Sequence, residues 1–232
     1  MRILFLGNSF TYFHDLPAML SRLTGWETAA VVRGGAYLRQ FLDEKDELSA
    51  QMNAALARGP WDKVVLQEQS FHAIGDWEDY LSSAGALCAR IREGGAAPVL
   101  YATWPYRAGS EKLRRTGLTY DQMARGLRDA FARAAVRCGA QAVPVGSAFE
   151  RAATHVSLYA EDAYHPSPQG TYLAACVFAW TLAPALALRP WRPEEIAQEE
   201  AARLRALALE SLAIKGQAPE RKEGHSERSN TL

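Results

Sequence analysis

Arg2-Ile3-Leu4-Phe5-Leu6-Gly7-Asn8-Ser9 opens the chain as an apolar run that stops on a glycine and two turn-forming polar residues. Such a run, branched and aromatic without polar alternation, reads as a strand buried on both faces, and Gly-Asn-Ser reads as the turn at its carboxyl end. Four further runs share its character, at Thr28–Val32, Lys63–Leu66, Pro98–Thr103 and Gln141–Val145. Between them stand helical patterns at Leu16–Leu23, Leu38–Ala57, Trp77–Glu93 and Thr119–Cys138. Strands alternating with helices specify an α/β fold, a three-layer α/β/α sandwich around a central parallel sheet of about five strands. Ligands of such sheets gather beyond the carboxyl ends of the strands, where Ser9, Gly34, Gly35, Gln67 and Trp104 all fall.

Far downstream, Asp162-Ala163-Tyr164-His165 supplies what a serine at that position needs. Ser9 is the candidate nucleophile, His165 the base that takes its proton, and Asp162 the carboxylate that fixes the imidazole tautomer and stabilises the imidazolium. An Asp three residues before a His folds back across one turn to Nδ1–H, which leaves Nε2 facing the serine. Pro166 pushes His165 out of helical geometry, and Ser167 and Pro168 are a natural cap and first residue for a helix over Gln169 to about Leu182. Taken singly, the serine reads as a turn or cap residue and the Asp–His pair as a surface turn; their conjunction on a parallel sheet points to a hydrolytic triad.

Gly7-Asn8-Ser9 at the start, a glycine after the second strand, an amide after the third and Asp-x-x-His near the end together resemble the SGNH (GDSL-like) hydrolases. The stretches Gly7-Asn8-Ser9-Phe10-Thr11-Tyr12, Leu66-Gln67-Glu68-Gln69-Ser70 and His165-Pro166-Ser167 resemble a subgroup of that superfamily known mostly as a domain of unknown function. The resemblance spans Met1 to Ala185 and implies a flavodoxin-like fold and ester hydrolysis. It further implies an oxyanion hole formed by the backbone N–H of Ser9, the N–H of Gly35 (alternatively Gly34) and a glutamine side chain. Gln67, nearest the strand tip, is placed ahead of Gln69. The chain departs from the family in having Asn8 where Asp is usual and in lacking a Gly-x-Asn-Asp block. Asn8, Tyr12 and Trp104 are the candidate substrate-binding residues; aromatic faces there suit a sugar-stacking wall and ordinary packing alike.

Lysine plus arginine and aspartate plus glutamate number 26 each in 232 residues, so no net field favours nucleic acid or an anionic membrane, and the expected partner is a small-molecule ester. Cys88, Cys138 and Cys176 are widely spaced in apolar helical stretches and read as buried thiols. No run approaches the ~20 apolar residues of a membrane span, and the first apolar run is too short for a signal segment. A cytoplasmic setting is the expectation. His14, His72, His155 and His225 are scattered without metal-ligand spacing, so no metal or cofactor is expected; His72 stands close enough to the third strand to line the cleft.

Thr119-x-x-Gln122 reads as a capping box. The Pro105–Leu118 stretch before it exceeds the ~2–6 residues usual for such loops and reads as a rim or lid, with Arg107, Lys112, Arg114 and Arg115 either facing an anionic leaving group or simply solvated. Beyond Pro184, Pro190 and Pro193 a helix is expected from Glu194 to Lys215, ended by Gly216. Residues 1–216 therefore read as one domain and 217–232 as a mobile charged tail. Three functions remain open at this level: a serine esterase working through an acyl-enzyme on Ser9, with an acetylated carbohydrate among its candidate substrates; an acyltransferase with the same triad; and a non-catalytic module binding a phosphate- or sugar-containing ligand. No G-x-x-x-x-G-K-[ST] phosphate loop and no G-x-S-x-G elbow is present.

Overall fold

A computed structural model describes residues 1–213. Five strands, β1 (Arg2–Gly7), β2 (Glu27–Val32), β3 (Lys63–Leu66), β4 (Ala97–Tyr101) and β5 (Gln141–Val143), pair in parallel in the order β2-β1-β3-β4-β5. This is the flavodoxin-like order, with its switch beside β1. The register sets Leu6 opposite Val31 on one side and Leu66 on the other, so β1 and both neighbours end together.

The helices are α1 (Ser9–Tyr12), α2 (Leu16–Thr24), α3 (Glu47–Ala57), α4 (His72–Gly75), α5 (Trp77–Glu93), α6 (Glu111–Arg114), α7 (Tyr120–Cys138), α8 (Val145–Ala152), α9 (Pro168–Leu182) and α10 (Gln198–Ala213). Alternation along β1 divides the core. Ile3 and Phe5 face the layer with α2, α8, α9 and α10, while Leu4 and Leu6 face the layer with α3, α5 and α7. Both faces of the sheet are thus covered, which is why the strands read as apolar runs.

Trp77–Glu93 is helical over the expected span, and Thr119 and Gln122 form the reciprocal capping box. Ser167 caps α9 and Pro168 is its first residue. Cys88, Cys138 and Cys176 are buried free thiols. The expected helix over Leu38–Ala57 is broken: a 3-10 turn at Leu38–Phe41 precedes α3, because Asp46 leaves the helix to cap it and to grip Arg33 through two bonds of 2.7 and 2.8 Å. The fifth strand stops at Val143; Val145, read as its end, instead starts α8. Pro105–Leu118 carries the helical turn α6, capped by Ser110. The last helix starts at Gln198 instead of Glu194, since Pro193 and Ile196 close a turn, and Glu199 and Glu200 occupy its first turn. Lys215, Gly216 and the tail 217–232 lie outside the described residues.

Candidate active site

The chain leaves β1 at Gly7 and turns at once into α1, whose first residue is Ser9. Asn8 caps that turn through its Oδ1, which accepts the Phe10 N–H at 3.2 Å. Ser9 is thereby fixed at the carboxyl edge of the sheet, at the switch in strand order. His165 arrives from the other end of the chain, just ahead of the α9 cap. Gly170 lets α9 approach its loop, since a Cβ there would meet the Leu158 carbonyl oxygen at 2.3 Å.

Ser9 Oγ lies 2.7 Å from His165 Nε2, and His165 Nδ1 lies 2.6 Å from Asp162 Oδ2. The Asp162 Oδ1 accepts the N–H of His165 at 3.0 Å and of Tyr164 at 3.2 Å. An ionised carboxylate only accepts, so Nδ1 carries the ring proton and Nε2 is left to accept the serine hydroxyl. Desolvation raises the Asp162 pKa, but the hydrogen bonds from the His165 ring and from the two backbone N–H groups outweigh it, leaving the carboxyl below its usual value. The turn between them passes through Ala163, held at φ +67° with its carbonyl accepting the Arg107 N–H at 2.9 Å. A non-glycine residue in that region is strained, and it is this bend that brings both carboxylate oxygens into use.

Aromatic rings fix the imidazole. Phe13 stacks on it, Tyr164 tilts against it with centroids 4.0 Å apart, and Phe10 meets it edge-on. Phe13 is set by two successive left-handed residues, His14 at φ 52° and Asp15 at φ 53°, the second of which caps α2. Phe10 in turn stacks on Trp104 at 4.6 Å, and Trp104 stacks on Phe149 at 4.0 Å.

Several sequence expectations are corrected here. Gln67 has no donor to spare: its Oε1 accepts the Asn8 N–H and the Thr11 hydroxyl, each at 2.9 Å, while its Nε2 donates to Asn8 Oδ1 at 2.8 Å and to the Glu68 carbonyl at 2.5 Å. It braces the nucleophile turn from below instead of facing an oxyanion. Gly7 makes room for it, since a Cβ there would meet Gln67 Oε1 at 2.7 Å. Asn8 is likewise buried and donates its Nδ2 to the Ala36 carbonyl at 2.9 Å, tying the nucleophile turn to the turn after β2. Trp104 is fully buried, with Nε1 donating to the Tyr164 carbonyl at 3.0 Å. Asn8 and Trp104 are therefore supports of the site, not substrate-facing residues.

Gln69 is the partly exposed amide. Its Oε1 accepts the N–H of Phe71 at 3.0 Å and of His72 at 3.1 Å, and its Nε2 meets the Ser70 hydroxyl at 3.3 Å with the Tyr106 hydroxyl also near it. Gly34 and Gly35 form a turn closed by the Ala36 N–H on the Arg33 carbonyl at 3.1 Å, with Gly35 at φ +67°, the conformation such a turn demands of its third residue. Among the described residues no acceptor meets the N–H of Ser9, Gly34 or Gly35. The Tyr12 ring is 42% exposed, with its hydroxyl against Gly34. The Lys112 ammonium sits 4.0 Å over the Tyr164 ring.

Thr11 and Phe13 hold places at the site that the sequence pattern does not assign: Thr11 donates to Gln67 and Phe13 stacks on the His165 ring. Thr11 and Glu68 are both buried polar residues beside strand tips. Among the described residues no group of His, Cys, Asp or Glu is placed to hold a metal ion, and no helix is long and apolar enough to cross a membrane.

No family model matches the chain, and no curated protein matches it. Solved structures do. A protein from Slackia heliotrinireducens classed with the SGNH hydrolases is 42% identical, with a TM-score of 0.74, over 79% of this chain and 99% of its own. A DUF4886 family protein from Bacteroides uniformis shares the fold over 96% of this chain and 98% of its own, at 21% identity and a TM-score of 0.71. An acetylxylan esterase from Geobacillus stearothermophilus shares it over 78% and 94%, at 16% identity and a TM-score of 0.57.

Proposed function

The chain belongs to the SGNH hydrolases, and on that premise we propose that it is a serine esterase that removes a small acyl group, an acetyl group on a carbohydrate in the first instance, through an acyl-enzyme on Ser9. The observation that carries this reading is the unbroken relay from Ser9 Oγ through His165 to Asp162, at 2.7 and 2.6 Å.

Ser9 Oγ attacks the ester carbonyl carbon while His165 Nε2 takes its proton, and the Asp162 carboxylate stabilises the imidazolium that forms. The carbonyl oxygen, now an anion, faces the free N–H groups of Ser9 and Gly35 and the partly exposed Nε2 of Gln69. Collapse breaks the bond to the alcohol, which leaves with the proton from His165. Water then attacks the acyl-serine with His165 again as base, and the carboxylic acid departs as Ser9 regains its hydrogen.

Crowding of Phe10, Phe13 and Tyr164 around the Ser9–His165 contact supports a small acyl group. The exposed Tyr12 ring supports an alcohol with stackable faces, and the likeness to an acetylxylan esterase agrees with it. A binding-only role leaves the serine–histidine contact without a purpose. The test is a series of p-nitrophenyl esters together with acetylated xylo-oligosaccharides. Turnover should be fastest for acetyl and fall as the acyl chain grows, and Tyr12→Ala should raise KM for the oligosaccharide while sparing p-nitrophenyl acetate. Equal rates from acetyl to octanoyl would contradict the small-acyl assignment.

A further inference from the structure

Just beyond Gln67 the chain buries a carboxylate completely: the Glu68 side chain is 0% exposed. A buried carboxylate needs partners, because the interior cannot replace the water it loses. Glu68 has three. Its Oε1 accepts the Gln69 N–H at 2.6 Å, both oxygens stand 3.4 Å from the Leu38 N–H, and Oε2 lies 3.5 Å from His72 Nδ1. On the far edge of that imidazole, Nε2 is 3.4 Å from Arg39 Nη1 and 3.4 Å from Asp79 Oδ2, and the arginine and aspartate bond each other at 3.0 Å. The Tyr37 ring meets His72 at right angles, 4.8 Å between centroids.

This cluster converges on Gln69. Glu68 holds its main-chain N–H through a short, charge-assisted bond, and the main-chain N–H of His72 holds its side-chain oxygen. With the oxygen end fixed by backbone donors, the carboxamide cannot flip, and its Nε2 is kept on one heading. The same carboxylate reaches Leu38, just past the Gly34–Gly35 turn, so one buried charge touches the loops carrying two of the three oxyanion donors.

We propose that Glu68 and His72 form a second carboxylate–imidazole pair, distinct from Asp162–His165, that positions the Gln69 carboxamide to receive the oxyanion; the assignment rests on the esterase reading above. Neither residue touches the reacting atoms, so both are positioning residues. The groups facing the His72 ring are the Glu68 and Asp79 carboxylates, the Arg39 guanidinium and the Tyr37 ring. The Glu68 carboxylate, 3.5 Å from Nδ1, raises the His72 pKa against the opposing effect of burial, so this imidazole should titrate above its ordinary value and return toward it in Glu68→Gln.

The experiment is steady-state kinetics on p-nitrophenyl acetate for wild type, Glu68→Gln, Gln69→Ala and the double variant, with His72 titrated by NMR. An oxyanion donor acts only in the transition state, so Glu68→Gln should lower kcat about 10- to 100-fold with KM nearly unchanged, part of the ~10²–10³-fold lost with a whole donor. In the Gln69→Ala background Glu68→Gln should add almost nothing, because the charge acts through that side chain. A folded Glu68→Gln with wild-type kcat, or losses that multiply in the double variant, overturns the assignment while leaving the esterase reading standing. If Glu68→Gln does not fold, His72→Gln decides: reduced kcat at constant KM supports the pair, and unchanged kcat overturns it. A wild-type protein without any turnover overturns the esterase reading and this assignment together.

Discussion

Phe13 lies flat on the imidazole of His165, ring centroids 3.9 Å apart and planes 2° from parallel. The ring face is electron-rich, so it both fixes the imidazole plane and favours the positive charge that develops there when Ser9 gives up its proton. Such a contact is worth ~0.5–1.5 kcal/mol beyond buried area. Phe13→Leu, which keeps bulk and removes the ring, should therefore lower kcat/KM about threefold to tenfold with little change in Tm. Unchanged kcat/KM would leave the stack a packing contact alone.

Gln67 and Gln69 separate by what their removal does. Gln67→Ala strips partners from the Asn8 N–H, the Thr11 hydroxyl and Asn8 Oδ1 in a buried place, and should destabilise the fold by about 1–3 kcal/mol or more. Gln69→Ala should leave Tm nearly alone and lower kcat by ~10²–10³-fold. Thermal unfolding beside kinetics on the two variants checks both; the reverse pattern would restore Gln67 as the donor.

Asp162 links the site to pH. Its folded pKa lies below the unfolded value, so its contribution to stability is fully present above the unfolded value and is lost as pH falls through the folded one. The stability gap between wild type and Asp162→Asn, from urea unfolding, should widen as pH rises across that window and then stay level. At neutral pH the variant should lose ~10⁴-fold in kcat, since an amide donates to Nδ1 and imposes the wrong tautomer. A gap that does not change with pH would show the carboxylate to be unpaired in the fold.

Gly170 is the point where α9 touches the histidine loop. In Gly170→Ala the new methyl would meet the Leu158 carbonyl oxygen at 2.3 Å, with the Phe149 ring at 3.0 Å also in its way, so the loop carrying His165 has to shift. The variant should lose about 1–3 kcal/mol of stability and, because catalysis needs the imidazole within hydrogen-bond reach of Ser9, about tenfold or more in kcat. Calorimetry and kinetics on the same sample check it.

The sheet is legible because its strands are buried on both faces: Ile3–Leu6, Val64–Leu66 and Val99–Tyr101 are short unbroken apolar runs without the 3.6-residue spacing of a helix face. The Ser9–His165–Asp162 geometry was legible because its parts are local, a strand end, a three-residue Asp–His fold-back, and Pro166-Ser167 ahead of a helix. Side-chain direction beyond a strand tip was not. Gln67 and Gln69 are both amides at β3, and only the position of Thr11 and Asn8 across the crevice shows which is consumed. Trp104 follows a strand as a substrate wall would, yet Phe10 and Phe149 stack against its ring from sequence far away on either side. Val145 extends the β-branched pattern of β5, and the packing of α8 on α9 and α10 overrides it.

The most direct test of the central claim is intact-protein and peptide mass spectrometry after reaction with a fluorophosphonate. A serine hydrogen-bonded to an imidazole base should be phosphonylated once, on Ser9, in wild type, with labelling abolished in Ser9→Ala and strongly slowed in His165→Ala. A wild-type protein that stays unlabelled while folded, or a Ser9→Ala variant labelled as fast as wild type, would contradict it.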